Sequence, residues 1–253
     1  MRLVILIAIV AAASVIVAGQ SQTPAFEPMQ PELLGAGSTF TNASPDYDVD
    51  ADPDMFVGFD GKPNRLYRND KGTFPDVAAA AGVADTRPTR AAAWGDFDSD
   101  GDPDLLLGFT PAKDASVLKL YRNTSGTFTD TTTDVGLAVP TGADRQPAWI
   151  DFDPDGDLDL FIAYRDRANA LYRNDAGKFA DVAPAIGVAD PRRTVGAVWA
   201  DFDEDGVFDL AVANMDGDAN GLFRNDNGTF TDVAAAAGVA WGGRAPKAPG
   251  NGT

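Results

Sequence analysis

WGDFDSDGDPDLLLGF, residues 94–109, holds the pattern that decides the fold. Its first half places Asp96, Asp98, Asp100, Asp102 and Asp104 at every second position, with Gly101 between the third and fourth. Its second half, from Asp104 to Phe109, is a short apolar run of the kind that forms a strand buried on both faces. The same design recurs as DYDVDADPDMFVGF from Asp46, DFDPDGDLDLFIAY from Asp151 and DFDEDGVFDLAVAN from Asp201. The four starts are spaced by 50, 55 and 50 residues. The chain is a repeat.

A second motif keeps step with the first: NRLYRNDKGTFPDV from Asn64, LKLYRNTSGTFTDT from Leu118, NALYRNDAGKFADV from Asn169 and NGLFRNDNGTFTDV from Asn220. The segment AAAAGV closes the first unit at 78–83 and the last at 234–239. Each unit reads as four strands. The first is small and apolar and ends near a tryptophan, as in Ala91–Trp94, Pro147–Ile150 and Gly196–Ala200. The Asp loop leads to the second strand, Asp104–Phe109 or Asp159–Tyr164, and the LYRN segment is the third. A turn with glycine at its end, where φ > 0 is needed, then leads into the GTF strand as a hairpin. Four strands at a period of 40–50 residues are the signature of propeller blades. The expected fold is therefore all-β, a β-propeller-like array of four four-stranded blades at about 37–83, 84–137, 138–188 and 189–240.

The loop pattern D-x-D-x-D-G-x-x-D offers carboxylates at positions 1, 3, 5 and 9 and a backbone carbonyl at position 7, a set that wraps a hard cation such as Ca²⁺. The candidate ligands are Asp46, Asp48, Asp50, Asp52 and Asp54; Asp96, Asp98, Asp100, Asp102 and Asp104; Asp151, Asp153, Asp155, Asp157 and Asp159; and Asp201, Asp203, Asp205, Val207 and Asp209. Val207 at position 7 fits a role for the carbonyl alone. An EF-hand needs a Glu at position 12; Val57, Leu107, Ile162 and Val212 stand there instead. Up to four Ca²⁺ ions are expected. Ala51 replaces the position-6 glycine in the first loop, and a left-handed alanine costs about 1 kcal/mol, so the first site is expected to be the weakest. Ser44 also stands where the other units have Trp94, Trp149 and Trp199.

The rest of the composition narrows the chemistry. Of the 38 acidic residues, 20 lie in the four loop windows, and the net charge is −18. Carboxylates so close repel one another unless a cation lies among them. That balance excludes a nucleic-acid footprint. Cys and His are both absent, which removes disulfides, thiolate or imidazole zinc sites and histidine acid–base catalysis. Residues 1–19 read as a signal peptide, with Arg2 ahead of an apolar run from Leu3 to Val17 and small residues Ala18 and Gly19. Its alternative is an uncleaved signal anchor, the one membrane contact expected. Residues 20–36 read as a flexible spacer and 241–253 as a truncated tail.

WGDFDSDGDPDLLLGF followed by LYRNTSGTFTD resembles the FG-GAP/VCBS repeat of integrin α-subunit propellers and many secreted bacterial proteins. The tract NRLYRND-x-GTF-x-DVA-x-x-AGV is similar to the cartilage acidic protein (ASPIC/UnbV-associated) group. The resemblance covers residues 37–240. It implies a β-propeller, usually seven-bladed, with Ca²⁺ in the blade loops and a role in adhesion, matrix contact or ligand presentation. Four units are fewer than a closed family propeller has, and the UnbV-type region is absent. A partial propeller, a four-bladed ring and half of an assembly stay open, and an open array would expose strand edges that favour self-association.

Arg68, Arg122, Arg173 and Arg224 recur in the third strand, with Asp76, Asp130, Asp181 and Asp232 eight residues later. They are read as structural pairs with acidic groups of the same or a neighbouring unit, rather than as an anion-binding ring. Trp94, Phe97, Trp149, Phe152, Trp199 and Phe202 are read as core, not as sugar platforms. The sequons at Asn42, Asn123, Asn227 and Asn251 matter only in a glycosylating host. The expected function is a secreted or periplasmic, non-catalytic Ca²⁺-stabilised interaction module. Its ligand is an extracellular protein or glycan, held by the variable loops Phe109–Val117 and Tyr164–Ala170. A carbohydrate-binding propeller or the accessory domain of an extracellular hydrolase is the alternative. An enzyme is the third reading, with Asp, Glu, Lys or Tyr as its only acid–base groups.

Overall fold

The computed structural model describes residues 37–242 apart from 113–114, 140–141 and 143. The expected signal peptide, the spacer and the tail beyond residue 242, with the sequon at Asn251, lie outside these residues. Four antiparallel sheets follow one another along the chain, each with its strands in chain order. Blade 1 is β1 (Thr39–Ala43), β2 (Met55–Phe59) and β3 (Arg65–Tyr67). Blade 2 is β4 (Thr89–Gly95), β5 (Asp104–Phe109), β6 (Leu118–Thr124) and β7 (Thr127–Asp130). Blade 3 is β8 (Asp144–Ile150), β9 (Asp159–Tyr164), β10 (Ala170–Asn174) and β11 (Phe179–Asp181). Blade 4 is β12 (Thr194–Ala200), β13 (Asp209–Asn214), β14 (Gly221–Asn225) and β15 (Phe230–Asp232). Single helical turns, α1 (Ala78–Ala81) and α2 (Ala183–Ile186), lie in the connections that leave blades 1 and 3.

The fold is the propeller-like all-β array read from the repeat. Blade 1 departs in one detail: its fourth strand is reduced to two isolated bridges, Tyr67 with Asp76 and Asp70 with Thr73, with the pairing between them lost. Pro75 explains this. Arg68 N–H still donates to the Pro75 carbonyl (3.1 Å), but proline has no N–H to return the bond. Thr129, Ala180 and Thr231 at the matching positions have one, and there the ladder continues.

The first strand of every blade slips register two residues in, at Thr39/Thr41, Thr89/Ala91, Asp144/Gln146 and Thr194/Gly196. A bulge there bends the strand. Two of these bulges are pinned from the preceding blade. Asn64 Nδ2 donates to Thr89 Oγ1 and Asn169 Nδ2 to Thr194 Oγ1, both at 2.9 Å. Gln146 adds a second link, exchanging two bonds with the backbone of Ala197 in β12, at 2.9 and 3.1 Å.

The core lies between blades rather than inside one. Its three clusters join blade 1 to 2, 2 to 3 and 3 to 4. Every residue of β5 and of β9 is buried, as an apolar run sandwiched between neighbours requires. The matching strand of blade 4, β13, alternates instead, with Ala211 and Ala213 exposed. Trp94 packs against Phe56 of blade 1 and Trp199 against Phe161 of blade 3. Trp149 lies against Phe179. The core reading of the aromatics holds for these and for Phe97 and Phe152, but Phe202, in the last loop, is 42% exposed. No further blade among the described residues covers it.

Candidate metal centres

Each Asp loop joins the first strand of a blade to the second and is held by its own carboxylates. The position-1 aspartate accepts from the N–H groups of positions 5 and 6. In the second loop these bonds run from Asp100 and Gly101 to Asp96, at 3.1 and 2.9 Å. The position-5 aspartate accepts from position 7, as Asp100 does from Asp102 at 3.0 Å. Asp46 and Asp50, Asp151 and Asp155, and Asp201 and Asp205 repeat the arrangement. Position 6 is left-handed in every loop: Gly101, Gly156 and Gly206 lie near φ +95°, and Ala51 is forced to +74°. Position 4 is left-handed as well, at Val49, Ser99 and Glu204, which the residue types there do not announce.

Position 9 anchors the loop. Asp104 is wholly buried, and its two oxygens accept from Phe97 N–H (3.0 Å) in the loop and Asn123 N–H (2.8 Å) in β6. Asp54, Asp159 and Asp209 make the same two bonds. The position-7 side chain is engaged in two loops. Asp102 and Asp157 accept from Ser125 N–H (2.7 Å) and Ala176 N–H (3.1 Å), tying the loop to the turn after the third strand. Val207 has no group to do this, and no side-chain bond from Asp52 to that turn is seen among the described residues.

Position 3 points to a cation. Carboxylate oxygens of Asp96, Asp98 and Asp104 lie within 4.8 Å of one another, as do those of Asp151, Asp153 and Asp159 and those of Asp201, Asp203 and Asp209. In the first loop the converging set is Asp46, Asp48 and Asp50, without Asp54. The Oδ1 atoms of Asp48, Asp98 and Asp153 are buried with no hydrogen-bond partner. A buried acceptor without a donor is costly. Repeated at one loop position in three units, it marks the place where a positive ion fits. These Asp triads can hold metal ions.

The electrostatics agree. Burial, aided by the charges of Asp98 and Asp100, pushes the Asp104 carboxyl up to about 7 against the pull of its two backbone N–H donors. Burial does the same to Asp159, also to about 7. Burial raises Asp48, Asp54, Asp98, Asp153 and Asp203 as well. A carboxyl raised in the folded state contributes stability that is complete below its unfolded value near 4 and is lost as pH rises through the folded value near 7. In EDTA the protein is therefore expected to melt at a higher temperature at pH 5 than at pH 8. A calorimetric scan at the two pH values checks this order.

The recurrent arginines are structural. Arg68, Arg173 and Arg224 pair with Asp70, Asp175 and Asp226, two residues on, at 2.8–2.9 Å. Blade 2 has Thr124 at that place, and Arg122 turns instead to Asp98 of the loop, at 2.6 Å. Asp76, Asp130 and Asp232 pair with Arg65, Lys119 and Arg192.

The asparagine of the LYRN segment is the residue the motif reading left without a role. Asn123, Asn174 and Asn225 are fully buried. Each accepts from the glycine of the following turn and donates Nδ2 twice. One bond goes to the position-8 carbonyl of its own loop, the other to the position-2 carbonyl of the preceding blade's loop. Its signal in the sequence is an invariant Asn-x-x-Gly in all four units.

Among solved structures, the chain is similar to an Agrocybe aegerita lectin that recognises non-reducing terminal N-acetylglucosamine (18% identity, TM-score 0.43, 74% of this chain and 49% of that one). It is also similar to BBS1N in its complex with ARL6DN (15%, 0.48, 77% and 56%) and to the V. cholerae biofilm matrix protein Bap1 (15%, 0.42, 76% and 30%). The chain thus spans between 30% and 56% of the length of these structures. No curated protein matches the sequence. Residues 46–107 and 151–212, each running from one Asp loop through the rest of its blade to the next Asp loop, match the FG-GAP-like repeat, so this is a protein that carries FG-GAP-like repeats.

Proposed function

We propose that the protein is an extracellular, non-catalytic interaction module whose Asp loops bind Ca²⁺ and whose opposite face binds an extracellular protein or glycan. The observation that carries this reading is the unpartnered position-3 oxygen, aimed into three Asp loops. An all-oxygen set with several carboxylates suits Ca²⁺ better than Mg²⁺, which keeps most of its waters. The carboxylates at positions 1, 3 and 9 of the last three loops, and at positions 1, 3 and 5 of the first, would hold the ion, which supplies the positive charge that offsets their mutual repulsion. The chain's own residues do the rest. Asp104 ties loop to β6, and Asn123 ties the same turn to the loop of blade 1, so an ordered loop orders the joint between blades.

The meander puts the Asp loops and the Asn-x-x-Gly turns at one end of each sheet. The connections between second and third strands, Phe109–Val117 and Tyr164–Ala170, therefore lie at the other end. They differ from blade to blade while the Asp loops repeat, which suits ligand choice to one end and metal to the other. Secretion fits this reading, since Ca²⁺ is plentiful outside cells. No helix among the described residues is long and apolar enough to cross a membrane.

The Ca²⁺-loaded protein can be screened against arrayed extracellular proteins and glycans while product formation is followed. Binding lost in EDTA and in a variant with a shortened Phe109–Val117 loop, with no turnover, is the expected result. Turnover that survives Asp98→Asn and Asp153→Asn would overturn the reading in favour of an enzyme.

A further inference from the structure

We propose that the outward face of blade 4 is a docking surface for the outward face of blade 1 of a second copy of this chain. The two copies would join head to tail by the contacts that join blades within one copy. Three contacts recur at every internal joint. Asn123, Asn174 and Asn225 donate Nδ2 to the carbonyls of Tyr47, Phe97 and Phe152 in the preceding blade, at 2.8, 2.8 and 3.0 Å. The rings of Tyr47, Phe97 and Phe152 lie against Phe128, Phe179 and Phe230 of the following blade, with centroids 6.0, 5.9 and 6.1 Å apart. Gly82, Gly136 and Gly187 in the connections approach the carbonyls of those same phenylalanines so closely that a β-carbon would lie 2.9, 2.8 and 2.5 Å away.

At the outer faces of the first and last described blades each contact is present by half. Blade 4 offers Phe202, 42% exposed, and Gly238, whose β-carbon position has nothing within 4 Å. Blade 1 offers the other halves, the half-buried Phe74 and Asn69. Asn69 Nδ2 reaches Pro53 O at 3.0 Å, as Asn123 reaches Pro103 O, and its bond to a preceding loop is the one not made.

A fourth position carries the same complementarity with different chemistry. At the first internal joint Lys119 Nζ reaches Asp85 in the connection leaving blade 1, at 3.0 Å. Arg65 occupies the place of Lys119 in blade 1, and Trp241, 74% exposed, occupies the place of Asp85 after blade 4. A guanidinium over an indole replaces the ion pair. Blade 4 also exposes Val198, Ala211, Ala213 and Val239, which line one apolar groove. An apolar face of this kind marks a contact surface.

The joint is weaker than the internal ones, because Ser44 meets Ala211 where Trp199 meets Phe161 inside the chain. Association is therefore reversible. Being heterologous, it closes into a ring or extends, according to the arc each copy spans. The metal reading can fail without touching this proposal, since Ca²⁺ binding is measured separately by titration.

Sedimentation of the purified protein in Ca²⁺ tests it. The average mass should climb above the 26.5 kDa of one chain as concentration rises. Phe202→Asp, which blocks only the blade 4 end, and Phe74→Asp or Val57→Lys, which block only the blade 1 end, should each remain monomeric. Mixing one of each leaves a single intact joint, so a one-to-one dimer that grows no further is expected. Melting curves identify any variant that fails to fold. A wild-type protein that stays monomeric at all concentrations, or folded variants that associate alone as the wild type does, would overturn the proposal.

Discussion

Millimolar Ca²⁺ is expected to raise the melting temperature by roughly 20 °C or more over EDTA. An ion that binds only the folded state stabilises it by about 3–4 kcal/mol per site at 100–1,000 times its dissociation constant. Three loops of full Gly type then supply about 10 kcal/mol, and each kcal/mol moves the midpoint of a domain of this size by about 2–4 °C. The pH dependence should invert at the same time. Without metal the raised carboxyls at Asp104 and Asp159 favour pH 5 over pH 8. With Ca²⁺ the ligands must be ionised, so binding strengthens as pH rises through about 7 and the higher pH becomes the more stable. Scans at two pH values, each with Ca²⁺ and with EDTA, read both effects. A small rise with no inversion would mean that the loops are solvated turns.

The second large effect is expected from Asn174→Ala. Asn174 links β10 to the Phe97 carbonyl of blade 2, at 2.8 Å, and to Leu158 O at 3.1 Å, and accepts from Gly177 N–H at 2.7 Å. Truncation leaves the buried Phe97 carbonyl and the half-buried Leu158 carbonyl without this donor, and the Gly177 N–H without its acceptor, at a joint between blades. The expected cost is roughly 2–4 kcal/mol in urea unfolding. Asn69→Ala, in the blade with none before it among the described residues, should cost under half as much. Equal losses at the two positions would show that the bond across the joint contributes little.

Much of this architecture is legible in one chain because the repeat shows each element four times. The second strands Asp104–Phe109 and Asp159–Tyr164 stand where the apolar runs place them. The first strands begin earlier than the small apolar stretch beside the tryptophan, since Thr89 and Thr194 are drawn into the sheet by asparagines of the preceding blade. That pull acts across sequence, and no local pattern carries it. The same holds for the LYRN asparagine, whose partner lies 73–77 residues away. The loss of β-pairing at Pro75 was open to a sequence reading, because proline in a strand removes a donor wherever it falls.

The Asp loops divide in the same way. Their spacing names the carboxylates, but not how they share the work. Position 1 and position 5 hold the loop's own N–H groups, position 9 holds the next strand, and only position 3 keeps a buried oxygen free. The special place of Ala51 was visible from its residue type, and its φ of +74° is the strain that type implies. Separation of the three converging carboxylates from the rest needed coordinates.

Calorimetric titration of the metal-free protein with Ca²⁺ decides whether the Asp loops are metal sites. Three sites of similar affinity in the loops at Asp96, Asp151 and Asp201 and a weaker fourth at Asp46 are expected. Asp98→Asn or Asp153→Asn should each remove one. No heat of binding, or a stoichiometry left unchanged by both substitutions, would contradict the metal reading.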